Sequence, residues 1–161
     1  KRMCGLKLNI LGVVSAILAF ISLALPWWVL TVEGLGTVSF YPWGVTGGWA
    51  AMAGYALAIY SALILIVISG VLGLIGSAKI GGRGRTFVLV AGILAILSVV
   101  IFAGGLQSFV ASVFIKVKSL FYSGPYNGGY TASAYLSFGF WLALVAAIIA
   151  FVAYLKYPKV T

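Results

Sequence analysis

The chain has 161 residues, 64% hydrophobic and 7% charged, with a formal net charge of +9 and a mean hydropathy of +1.23. A water-soluble domain is near half apolar and about a quarter charged, so a soluble globular domain is excluded, and a chain this apolar and this poor in charge is no disordered segment either. With no His, one acid (Glu33) and one Cys (Cys4), it lacks the donors for a Cys/His metal site, a haem with an axial His, a carboxylate pair or a Ser-His-Asp triad.

What remains is an integral membrane protein. A spanning helix needs about 20 mostly apolar residues, and four uncharged stretches qualify: 8–30, 49–78, 86–115 and 134–155. Together they predict one four-span antiparallel helical domain over residues 1–161, with outer loops at 31–48 and 116–133. A β-barrel would show strict alternation in strands of about 10 residues, which these runs lack. The first span follows Lys1, Arg2 and Lys7 and ends at Pro26-Trp27-Trp28. Its apolar run is too long for a signal peptide and ends without a small-x-small site, so it is expected to be retained.

The first outer loop carries two β-prone runs, 29–32 and 37–41, on either side of a glycine-containing turn at 33–36. That pattern predicts an antiparallel hairpin. Four of the five tryptophans, Trp27, Trp28, Trp43 and Trp49, fall in or beside this loop. They fit an aromatic belt at the outer interface, or a small folded cap that meets a partner. Trp28, Glu33, Tyr41, Trp43 and Trp49 are the candidate outer-surface residues here, with Trp43 or Trp49 expected beneath the hairpin.

The second span carries Ser69, Gly73 and Ser77 at four-residue spacing, a small-residue face that lets membrane helices approach closely. The inner turn, residues 79–85, holds Lys79, Arg83 and Arg85 among three glycines. It reads as a flexible basic turn. Its backbone amides and cations suit a phosphate, but no GK[ST] follows a strand, so it is no P-loop. The third span has an apolar tail. Continued to Phe121 as helix it would reach about 54 Å, beyond a core of about 30 Å, and would protrude or bend along the surface, with Ser108, Ser112, Lys116 and Ser119 lining one face.

The second outer loop is rich in Tyr, Ser, Gly and Asn, the residues of adaptable binding loops. Tyr126 and Tyr130 are its candidate surface residues, and an irregular connection is the simpler reading. Glu33 is expected either as a solvated turn residue or paired with Lys116 or Lys118 across the two outer loops. The fourth span has Gly139, Ala143 and Ala147 on a small-residue face.

Eight of the ten basic residues flank the predicted inner ends of the spans. Cations near span ends stay cytoplasmic, so both termini and the 79–85 turn are expected inside a cell membrane. The cations are split over three short segments at headgroup depth, which suits anionic lipid heads and gives no reason to expect nucleic acid. The spans contain no ionisable group of the kind that proton relays use, so no enzymatic activity and no cofactor are expected.

Four spans with both ends inside, a β-like first outer loop and a long third span resemble the claudin and PMP22 group. Pro26-Trp27-Trp28 resembles the Pro-x-Trp at the end of the first claudin span, and Gly47-Gly48-Trp49 resembles the later Gly-Leu-Trp. The two cysteines that follow that motif in claudins have no counterpart here, and span two starts directly after Trp49. The resemblance implies a non-enzymatic protein that assembles side by side or bridges membranes through its outer loops. A self-associating structural protein is therefore the first expectation. An accessory subunit of a larger respiratory or secretion complex is the second, and a passive pore or small-solute carrier the third.

Overall fold

The computed structural model describes residues 8–47, 57–79, 81–113, 117 and 119–157. Its helices are α1 (Ile10–Ala24), α2 (Leu57–Ala78), α3 (Gly82–Val113) and α4 (Phe138–Leu155), and its strands are β1 (Trp28–Val32), β2 (Gly36–Tyr41), β3 (Gly44–Gly47), β4 (Tyr122–Pro125) and β5 (Thr131–Leu136). Three of the helices are long and apolar enough to cross a membrane, and α1 is a shorter apolar helix.

The apolar run at 8–30 is not one helix. Pro26 has no N–H to continue the ladder, and it forces the preceding residue out of the helical region. Leu25 is extended accordingly (φ −106°, ψ 148°), and four residues past the helix the chain is already in β1. The expectation for 134–155 shifts as well, with no proline to mark it. Residues 131–136 are spent on β5, and α4 starts at Phe138. The described part of the second span starts at Leu57, so Trp49 and the expectation placed on it lie outside the described residues.

Each helix packs on its two neighbours in chain order, and α4 closes the ring on α1. Buried serines stitch the seams. Ser15 Oγ donates to the Ala146 carbonyl (2.7 Å), Ser69 Oγ to Ala91 (2.7 Å) and Ser98 Oγ to Ala62 (2.7 Å). At the end away from the sheet, Asn9 does more than begin α1. Its side chain accepts from the Gly12 N–H and donates to the Ala153 carbonyl (3.1 Å), and its own N–H donates to Ser77 (3.1 Å).

On α1 and α4 side-chain size runs largely opposite to that of a helix bundle in water, with mostly small residues buried. On α4 the buried residues include Gly139, Ala143, Ala146, Ala147, Ala150 and Ala153, while Val145, Ile148, Val152 and Leu155 are exposed. On α2, Ile64, Ile68, Val71 and Leu74 point outward, and Gly73 lies against Ala16 of α1. The small-residue face of α2 lies at inter-helix seams, Ser69 on α3 and Gly73 and Ser77 on α1. A Cβ on Gly12 would collide with Ser77 Oγ, which explains the glycine in α1.

The sheet covers one end of this ring. Its strand order is β3-β2-β1-β5-β4, antiparallel throughout. The predicted hairpin is there, with Trp28 opposite Phe40 and Leu30 opposite Val38. It is only part of the cap, because the second outer loop supplies β4 and β5. Leu30 and Val32 pair with Ala134 and Ala132 of β5, and all four are buried. A two-stranded hairpin is marginal in water. Five strands with one apolar face are not.

Helix α3 explains why that face is stable. Its 32 residues span about 48 Å. Rather than bending along the surface, its final turns run under the sheet. Phe102, Leu106 and Val110 are fully buried in one cluster with Trp27, Trp28, Leu30, Val38 and Phe40. Ser108 and Ser112 face away and return their hydroxyls to the Gly104 and Phe109 carbonyls of the same helix.

Candidate functional site

The sheet divides the predicted surface residues into three groups. Trp28 belongs to the first, and its expected surface role is corrected. It is fully buried, edge-on to Phe40 (5.1 Å between ring centres), and its indole N–H donates to the Leu120 carbonyl (2.8 Å). Trp27 is equally buried. Its indole donates to Ser22 (2.8 Å) and its ring meets Phe102 (4.9 Å). A large ring with one donor suits this place, since its area fills the gap between sheet and helices while its N–H answers an end-of-helix or loop carbonyl. Two of the four tryptophans assigned to an interfacial belt are therefore the plug beneath the cap.

The second group is the tip of the sheet, farthest from the helices. Gly34 (φ +76°) makes the β1–β2 turn, and Gly128 (φ +76°) makes the turn between β4 and β5. A Cβ on either glycine would press on the Tyr130 ring, which is 42% exposed. The Tyr126 N–H donates to the Tyr130 carbonyl (2.7 Å). Glu33 stands beside them. Its carboxylate accepts from Thr131 Oγ1 (2.5 Å), and its N–H donates to the Thr131 carbonyl (2.9 Å). Glu33 thus joins the two outer loops through Thr131, a partner the sequence did not indicate. Lys116 and Lys118 lie outside the described residues.

The third group is the rim where sheet meets helices. Tyr41 and Trp43 stack (4.6 Å, 27°), and the half-exposed Trp43 indole donates to the Leu23 carbonyl at the end of α1 (2.7 Å). On β5 and α4, Tyr135, Phe138 and Trp141 are also exposed, Phe138 at 80%. With Leu136 and Ser137 they line a shallow recess of about 190 Å³. The sequence reading passed over these three because they sit inside or beside an apolar span. The signal was the aromatic run Tyr135-Leu136-Ser137-Phe138-Gly139-Phe140-Trp141 at its outer end.

The sheet carries a second feature. Ser123, Ser133, Thr31 and Thr37 stand opposite one another in successive strands, one continuous cross-strand row, and Thr31 and Thr37 share a hydroxyl hydrogen bond (3.0 Å). The outward face of the sheet is therefore uncharged and hydroxyl-rich. The hydroxyls alternating with apolar residues in Thr131-Ala132-Ser133-Ala134 were the legible sign. Of the helix-packing residues, Gly139 does the most specific work. Its N–H donates to the Pro26 carbonyl (2.9 Å), and a Cβ there would strike the Leu25 and Pro26 carbonyls and the Trp27 ring.

Among the described residues no group of three His, Cys, Asp or Glu side chains converges. What the cap offers is hydroxyls, peptide edges, aromatic rings and a single carboxylate. No protein-family model matches the chain, and no curated protein matches it.

Proposed function

We propose that the protein is a non-enzymatic structural protein of the cell membrane, related in plan to the claudin and PMP22 group. In this reading four helices span the bilayer, both termini are cytoplasmic, and the sheet stands on the outer side. The observation that carries the proposal is the joining of two outer loops into one five-stranded cap over helices that leave many large aliphatic side chains exposed. A chain that spends its outer residues on a rigid sheet, with one acid and a hydroxyl face, is built to present a surface. Tyr41, Trp43, Tyr135, Phe138 and Trp141 then lie at headgroup level, where amphipathic rings are favoured. The tip around Glu33, Tyr126 and Tyr130, with the hydroxyl row, is the surface offered to a second copy.

The test is the composition and size of the complex drawn from native membranes in mild detergent. A ladder or ring of this one chain is the expected result. Co-migration with different subunits would replace the proposal with an accessory role in a larger assembly. A monomer that passes solute in vesicles would replace it with a carrier.

A further inference from the structure

The basic turn between α2 and α3 is pinned, and the residue that pins it belongs to α4's end. Tyr157 is buried, and its hydroxyl donates to the Gly76 carbonyl (2.6 Å) and lies on the Lys79 carbonyl. A Cβ at Gly84 would strike that hydroxyl, so the first turn of α3 closes down on Tyr157. This draws four exposed cations to one end of the bundle: Lys79, Arg83, Arg85 and Lys156. Two of them lie over rings. Arg85 is 4.3 Å from the Tyr154 ring centre, and Lys79 is 4.9 Å from that of Phe87. A ring attracts a cation through its quadrupole without cancelling the charge. No carboxylate side chain is at hand to do so. The chain's single acid is Glu33, held by Thr131 in the sheet at the opposite end. The first turn of α3 also has no acidic residue, although the positive end of a helix favours one.

We infer that this end of the bundle is a binding site for the headgroup of an anionic phospholipid, seated between the α2–α3 turn and the end of α4. The inference rests on the membrane-spanning reading, which puts these cations at headgroup depth. The ligand chemistry is a phosphate carried on an acyl-chain anchor. The cations answer the phosphate, and the outward aliphatic side chains such as Leu155 and Leu74 answer the chains. Basic clusters between spanning helices are suited to such headgroups.

The test uses the full chain in detergent and reads lipid retention by native mass spectrometry. Phosphatidylglycerol and phosphatidylcholine of matched chains are offered, and inorganic phosphate serves as the competitor. Phosphatidylglycerol should be held at least tenfold more tightly than phosphatidylcholine, and inorganic phosphate at equal concentration should not displace it. Arg83→Gln and Lys156→Gln remove cations that lie over no ring among the described residues. Each should weaken phosphatidylglycerol retention about fivefold at unchanged Tm, and Arg83→Lys should restore it. Equal retention of the two lipids, indifference to both variants, or displacement by free phosphate would each overturn the site. Alkaline extraction of the protein from phosphatidylcholine vesicles separates the two readings. A chain that stays in the bilayer yet shows no preference loses the lipid site alone, whereas one that washes out loses both.

Discussion

Tyr157 shows how much one hydroxyl can organise. The last carbonyls of a helix have no partner within it, and at the end of α2 this phenol, just past α4, supplies one. Burial pushes its ionisation above the ordinary tyrosine range. The group lies beyond the last turn of α4, outside the spanning segments. Because the folded state holds the proton more tightly than the unfolded one, the contribution is complete below the unfolded value, about pH 10. It is lost as pH rises through the folded value. Tyr157→Phe should cost about 1 kcal/mol at pH 7. The gap in thermal stability between variant and parent should then narrow above about pH 10. Melting curves of both in detergent from pH 7 to 11 check this, and a gap that stays constant would refute it. Glu33 belongs at the other extreme. It is exposed, and its bond to Thr131 orients the loop tips more than it stabilises the fold.

At the scale of elements, the junction between sheet and helices is decided by a few close approaches. The corner after α1 turns at Pro26, and α4 starts against it through Gly139. Neither the Pro26 carbonyl nor the Trp27 ring, wedged against Phe102, has room to retreat. Gly139→Leu should therefore destabilise by roughly 3 kcal/mol or more, the upper end for an overpacked site. Phe138→Leu one residue earlier, on an 80% exposed side chain, should stay within about 0.5 kcal/mol. Comparing the two Tm values checks the claim, and equal shifts would refute it. Such contacts are also why element boundaries moved from the sequence expectation. Hydropathy adds up apolar residues and is blind to whether Trp28 and Leu30 are buried against lipid or beneath a sheet. Both fates need the same side chains, and only the proline at 26 marks the change.

For the whole molecule, the arrangement makes a prediction about sides. If the cap is outside, the α2–α3 turn must be inside, because α2 and α3 are antiparallel neighbours. Cysteine placed at Thr37, on the exposed sheet face, should react with an impermeant thiol reagent on intact cells, and cysteine at Gly82 should react only after permeabilisation. The reverse pattern would invert the protein in the membrane. Much of this architecture was legible beforehand. The apolar stretches and the distribution of basic residues depend on local composition, and so does the alternation that predicts the β1–β2 hairpin. The solvent of each segment and the period of each strand are written along the chain. The joining of that hairpin to β4 and β5, the burial of Trp27 and Trp28, the seat of α3 under the cap and the hold of Tyr157 on the basic turn were decided only by tertiary structure. Each depends on residues far apart in the chain (Trp28 with Leu136, 108 positions away; Tyr157 with Gly76, 81 away) meeting in space. Hydrogen bonding and packing choose such partners by geometry, which no local pattern encodes.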